Sequence, residues 1–439
     1  MNKKLLAVAV AGVFAAPAAF AQSSNVVLYG RLNMGVDNAS ATGATNNTAT
    51  VSNDFKSRMR QFDSGSRLGV RGTEDLGNGL RAVFQIESGL NANNGQNTAL
   101  GGQQNFSTGY LASRPSWVGL EGGWGSVKAG KQDVYWGNGT INQTGPNYVN
   151  ADLPWVTGGA GRVSAGVTRQ NNVVSYQSPT VAGLNAQLSW SPDTNSGGNT
   201  GIVIASATAG NNGAAGYNNS ENVGTGKNAN AQLLGLTVRG AWGPLQTQYD
   251  FVVKKGTTDQ SAAASPVGVG IANIAPETFA NKLGIGFAYM PGGQINVIGT
   301  AIHVKDVGIT SAAEAQAGTT MVTGTTENLN QTTVGITWEQ LVGGNILLLA
   351  QIGEMQKVKG CSVGNQANIC DNSGAKGYML GVRYNLSKRT AIYTAFNRVN
   401  NDKNQFADYA GGAQQVGPLG AAQKGADPQI ISVGMQHNF

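Results

Sequence analysis

Leu80-Arg81-Ala82-Val83-Phe84-Gln85-Ile86-Glu87 is the stretch that decides the fold. Leu80, Ala82, Phe84 and Ile86 share one parity, and Arg81, Gln85 and Glu87 share the other. Successive side chains of a β-strand point to opposite faces, so the stretch reads as a strand with one apolar and one polar face. The same period of two runs along the chain. Val26, Leu28, Leu32, Met34 and Val36 oppose Tyr29, Arg31, Asn33 and Asp37. Leu68 and Val70 alternate with Arg67 and Arg71. Leu234, Leu236, Val238 and Trp242 oppose Thr237 and Arg239, and Leu245, Tyr249, Phe251 and Val253 oppose Gln246, Gln248, Asp250 and Lys254.

Alternation alone also suits a soluble β-sandwich, and the connections separate the two. Short ones (Thr73 to Gly79, Gly122 to Gly125, Gly243-Pro244, Pro291 to Gly293, Leu341 to Asn345, Leu386 to Arg389) alternate with long ones. The long ones include Asp37 to Phe55, Gly89 to Gly109, Ser191 to Asn230, Lys255 to Asn281, Val304 to Asn330 and Asn400 to Pro428. Short turns at one end and long loops at the other mark an outer-membrane barrel. The candidate strands are 25–37, 61–73, 79–88, 111–121, 125–131, 171–179, 183–191, 231–242, 244–255, 281–290, 293–304, 331–340, 345–356, 377–386, 389–399 and 429–439. They make an all-β, 16-stranded antiparallel transmembrane β-barrel, an even number as single-chain closure requires. In 293–304 and 345–356 the parity slips, and bulges or subunit contacts are expected there.

A Lys or Arg on the lipid face near the midplane costs about 2–4 kcal/mol. Arg31, Arg67, Arg71, Arg81 and Arg239 share the polar parity, so that parity faces a water-filled lumen.

Composition agrees. Charged residues are 12% of the chain, about half the usual soluble share, while glycine contributes 64 of 439 residues. Beyond the first twenty-odd residues no apolar run approaches the ~18 that a helical span requires. Residues 1–21 read as a signal peptide: Lys3 and Lys4, an apolar stretch from Leu5 to Phe20, and Ala19-Phe20-Ala21 as the cleavage pattern. Residues 22–439 form the barrel, and the net charge falls from +6 to +4 as Lys3 and Lys4 leave. Cys361 and Cys370 sit in a Gly/Asn/Ser-rich stretch with no second ligand pair, which favours a local disulfide stapling an exposed loop over a zinc site.

Several segments resemble the Gram-negative general porins of the neisserial and Burkholderiales type. Val27-Leu28-Tyr29-Gly30 resembles that family's first strand, and Ser66 to Leu80 (SRLGVRGTEDLGNGL) its second hairpin. Val118-Gly119-Leu120, Gly130-Lys131-Gln132, Arg169 to Pro179 and Leu386 to Thr390 follow suit, as does the terminal Val433 to Phe439 with its final Phe. Lys131 and Gln436 stand where the family often has Arg. The resemblance implies a homotrimer in the outer membrane, in contact with lipid and lipopolysaccharide. It implies a third loop, about Asp133 to Thr168, folded inward to narrow the pore. It also implies insertion by the barrel-assembly machinery, which reads the C-terminal strand ending in Phe439.

Selectivity in such a pore comes from charged side chains where it is narrowest. Wall candidates are Arg67, Arg71, Arg81, Arg114, Lys128, Arg169 and Arg239. By resemblance Arg67, Arg114 and Arg169 form a basic cluster opposite the inward loop, which offers Asp152 and Asp133. The function expected is passive diffusion of ions and small hydrophilic solutes with a weak to moderate anion preference. The alternative is a substrate-specific channel for a sugar or anionic solute, for which Tyr135, Trp136 and Trp155 on the inward loop are the aromatic candidates.

No enzyme is expected, and no cofactor. Glu74 and Asp75 are adjacent at a strand end and point to opposite faces, so they cannot converge on one substrate. Gly224-Thr225-Gly226-Lys227 lacks the first glycine and the following Ser or Thr of a phosphate loop. His303 and His437 are too few for a hydrolase. The basic residues are dispersed on the lumen parity and do not read as a nucleic-acid surface.

Overall fold

The computed structural model describes residues 25–45, 54–90, 92, 111–134, 169–192, 232–255, 277–308, 326–363, 369–405, 407 and 424–439. Residues 1–24, and with them the expected signal peptide, lie outside the described residues, as do Tyr135, Trp136, Asp152 and Trp155.

Seventeen strands follow one another: β1 (Asn25–Thr42), β2 (Phe55–Asp63), β3 (Arg67–Gly77), β4 (Leu80–Gly89), β5 (Ser116–Gly122) and β6 (Gly125–Asp133). Then come β7 (Arg169–Gln177), β8 (Leu184–Ser191), β9 (Gln232–Trp242), β10 (Leu245–Lys255), β11 (Glu277–Met290) and β12 (Gly293–Gly308). The last are β13 (Thr326–Val342), β14 (Ile346–Met355), β15 (Ala375–Asn385), β16 (Thr390–Asn401) and β17 (Asp427–Asn438). β2 and β3 both pair with β1, in the registers Met34↔Asp63 and Arg31↔Arg67, so they are halves of one strand interrupted at residues 64–66. The wall therefore has sixteen positions. β1 also pairs with β17, from Arg31↔Asn438 to Thr42↔Asp427, and closes the ring. Closure leaves no strand edge unpaired, the condition for a sheet to sit in hydrocarbon.

The faces sort as the alternation requires. Leu28, Leu68, Ile86, Val118, Leu188, Leu234, Leu283, Leu380, Val433 and Met435 are exposed on the outside, whereas Asn33, Asp37, Glu87, Asp250 and Gln436 are buried on the inside. The parity slip expected in 293–304 does not come from a bulge within the strand. From Gln294 to Val304 it pairs without interruption with both β11 and β13, and shifts of register fall only at its ends, opposite Ala288/Met290 and after Val304. The slip has another cause. Here the inner face is itself partly apolar, with Ile298, Ile302 and Val304 buried beside Asn296 and Thr300, so the two parities contrast weakly in sequence. β14 behaves the same way. It pairs in unbroken register with β13 and β15, and Leu349 faces inward.

Cys361 and Cys370 are disulfide-bonded. The loop they close is not simply exposed. Val363 is 97% accessible, but Ile369 and Cys370 are fully buried among Leu233, Val304 and Leu329 of the inner wall. Ser362 donates to Glu327 on β13 through both its backbone N (2.7 Å) and its hydroxyl (2.6 Å). The loop is thus seated against the lumen side of the wall at the long-loop end.

Glycines on the inner face let aromatic rings lie flat against the wall. Tyr29 crosses Gly69, where a Cβ would come 2.4 Å from its Cζ, and Tyr393 crosses Gly434 at the same distance. Packing the volume of a side chain under a fixed ring costs about 1–3 kcal/mol. Gly69→Val is therefore expected to lower the thermal midpoint in detergent, followed by circular dichroism. Gly123→Ala, where the Cβ would meet nothing within 4 Å, is expected to leave it unchanged.

Candidate functional site in the barrel lumen

Three consecutive wall strands place the central groups. Directly opposed residues share a face. Tyr29 pairs with Gly69 and Gly69 with Glu87, so these three form one row; Arg31, Arg67 and Gly89 form the next. Because Gly69 has no side chain, the Tyr29 ring reaches across it and its hydroxyl donates to Glu87 Oε2 at 3.0 Å. Glu87 Oε1 accepts from Arg114 Nε, and Arg67 Nε lies 3.9 Å from Oε2. Arg71 lies over the Tyr29 ring, 5.3 Å from its centroid. A single carboxylate thus serves as the anchor for Arg67, Arg114 and Tyr29.

Arg31 and Arg67 stand directly opposite each other, an arrangement that like charges disfavour. The strand break answers part of this. At residues 64–66 the ladder opens, and Arg31 donates to the carbonyls of Ser64 (3.3 Å) and Gly65 (2.9 Å). The break is itself held by Asp63, which accepts from the backbone N of Ser66 (2.9 Å) and of Ala92 (3.0 Å).

A second pair flanks this cluster. Asp133 Oδ1 accepts from Arg169 Nε at 2.8 Å, where β6 and β7 face each other, and the charge of Arg114 reaches both. Lys128 and Arg239 line a recess that also takes in Asp133. Arg81 lies apart, in a wider recess of about 650 Å³ toward the short-turn end that Arg71 also lines, and pairs there with Glu121 at 2.7 Å. Of the expected wall residues, Arg67 and Arg114 share one anion and Arg169 sits beside them with Asp133. Asp152 lies outside the described residues. Among the described residues no group of three or more His, Cys, Asp or Glu is placed to hold a metal ion.

The sequence-level site missed Tyr29, Arg31 and Glu87. Their parity was visible, but their convergence needed the register across β1, β3 and β4. The short Gly77-Asn78-Gly79 turn, with all three residues at positive φ, fixes that register and was the available signal.

Residues 6–404 match the model of one family, described as Gram-negative porin. The chain belongs to the Gram-negative porin family. That family is one of passive outer-membrane channels, not of enzymes, and the closed barrel with its apolar exterior is the membrane-spanning part of this porin. An outer membrane porin protein of Bordetella pertussis is 34% identical over 206 residues, 44% of this chain and 49% of the relative. The major outer membrane protein P.IB of Neisseria gonorrhoeae is 32% identical over 201 residues, 45% and 51% of the two chains. These matches span about half the length of the curated relatives. The anion-selective porin from Comamonas acidovorans has the same fold, with a TM-score of 0.59 at 20% identity over 95% of this chain and all of that one.

Glu87 is the neutralising partner of the cluster. Glu87→Gln is expected to raise the chloride-to-potassium permeability ratio of the porin severalfold, read as a shift in reversal potential in a KCl gradient. The Arg67→Gln change is expected to lower that ratio.

Proposed function

We propose that this porin is a general diffusion channel that passes ions and small hydrophilic solutes with a weak to moderate anion preference. The observation that carries this reading is the imbalance at Glu87, one carboxylate amid Arg31, Arg67 and Arg114 on the lumen face. Fixed positive charge at a narrow point raises the local concentration of anions and lowers that of cations. The remaining inner wall is largely amide and hydroxyl in character, as with Gln187, Ser189, Asn296 and Thr337, and adds no dense second cluster of charge.

Other parts of this reading follow the family resemblance. Cleavage after Ala21 exports the chain, and the segment at about 133–168 folds inward to form the constriction, bringing Asp152 opposite the arginines. Three copies assemble as a homotrimer among lipid and lipopolysaccharide after insertion by the barrel-assembly machinery, with Phe439 as the terminal signal. The outward parity of Val433, Met435 and Phe439 supports that last role. A substrate-specific channel is the second reading, and the polar recess around Lys128 and Trp117 is what favours it.

Planar-bilayer recording tests the proposal. The expected result is current proportional to voltage and to KCl concentration, closing in steps of three, with a reversal potential on the anion side. A clearly cation-selective reversal potential contradicts the anion preference. Current that saturates with KCl contradicts free diffusion.

A further inference from the structure

The inner wall is chemically lopsided. From β12 to β16 many inward positions are apolar, with Ile298, Leu349, Met379 and Ala395 all buried. From β4 to β8 they are polar. Cross-strand partners run Gln85↔Trp117, Lys128↔Ser175, Ser126↔Gln177 and Gln177↔Gln187, so a band of amides and hydroxyls crosses five strands. The band lines a recess of about 280 Å³ that also takes in Arg239. Sites for small molecules begin at about 300 Å³.

The recess is rich in unused donors. Lys128 Nζ lies 4.3 Å from the centroid of the Trp117 ring, with no carboxylate at ion-pair distance among the described residues. The Trp117 indole N–H and the Gln177 amide likewise have no hydrogen-bond partner among the described residues. Gln85 makes only a long contact, 3.4 Å, to the Pro115 carbonyl. The carboxylates nearby are already paired: Asp133 with Arg169 (2.8 Å), Glu121 with Arg81 (2.7 Å) and Asp250 with Lys282 (3.2 Å). By contrast Gln132 and Ser175 are committed to each other at 2.7 Å and form the floor.

Donors without acceptors call for an acceptor-rich ligand. A single negative charge suits Lys128, and several hydroxyls suit amides that both donate and accept. Trp117, whose ring Lys128 overlies, adds its indole N–H as a further donor. We infer that this recess is a binding subsite for small polyhydroxylated carboxylates, the sugar-acid class. Its carboxylate sits at Lys128, and its hydroxyls at Gln85 and Gln177. The inference rests on the channel reading above and narrows its solutes.

The test is single-channel recording of the full-length porin in fixed KCl, with sodium glucuronate or glucose added at equal concentration. Glucuronate is expected to reduce the chloride current saturably, and glucose only as its viscosity does. Lys128→Gln is expected to raise the half-blocking concentration about tenfold, the loss of one hydrogen bond to a charged group. Trp117→Phe, which keeps the ring and removes the indole N–H, is expected to raise it less. Lys56→Gln, outside the recess, is expected to change nothing. Normal KCl conductance with equal effects of glucuronate and glucose overturns the subsite and leaves the channel standing. So does normal conductance with unaltered block in Lys128→Gln. No KCl conductance in the wild type overturns the channel reading and the subsite together.

Discussion

Closure of the sheet on itself is the constraint on which the rest depends. In hydrocarbon an unpaired N–H or C=O costs several kcal/mol, so a wall strand tolerates no open edge. The seam between the first and last strands meets this requirement to its end. Gly30 N donates to the Phe439 carbonyl at 3.0 Å, and Phe439 N donates to the Gly30 carbonyl at 3.1 Å. The Phe439 ring then covers Gly30 on the outside, where a Cβ would collide with it. With the ring closed, every second residue faces lipid and every other one faces water. The placement of each arginine follows from its parity.

The lumen cluster shows what the fold does with that placement. Two arginines are forced opposite each other by register, and the protein accommodates them with one glutamate, one tyrosine laid across a glycine, and an opened ladder that lends two carbonyls. A run of uninterrupted strand at residues 64–66 would withdraw those carbonyls into the ladder. The break is therefore the structural counterpart of the charge it faces. At the long-loop end the disulfide-closed loop turns Ile369 and Cys370 onto the inner wall.

Much of the fold was legible in the sequence because a half-wetted strand has an unambiguous period. The strands from Leu80 to Glu87 and from Gln232 to Trp242 could be oriented residue by residue. Legibility failed where the inner wall turns partly apolar, as along Ile298, Ile302 and Val304, since the period then carries little contrast. It failed again at the start of Phe55–Asp63, where the strand begins at Phe55 and the alternation opens it only at residue 61. The site was half legible. Parity placed Arg67, Arg71 and Arg239 inside, but which of them share a partner depends on register across strands, and that is set by turns such as Gly77-Asn78-Gly79. The seat of the Cys361–Cys370 loop was not legible at all, because its burial comes from contacts with residues distant in sequence, such as Leu233, Val304 and Leu329.

The most direct test of this account is the reactivity of paired cysteine variants toward a membrane-impermeant, charged thiol reagent during bilayer recording. The two native cysteines are bonded to each other, so they leave no free thiol to confuse the readout. Arg67→Cys is expected to react and to change conductance and selectivity at once, while Leu68→Cys, one residue along the same strand, is expected to stay silent. Reaction and current change at Leu68→Cys, with Arg67→Cys inert, would contradict the account.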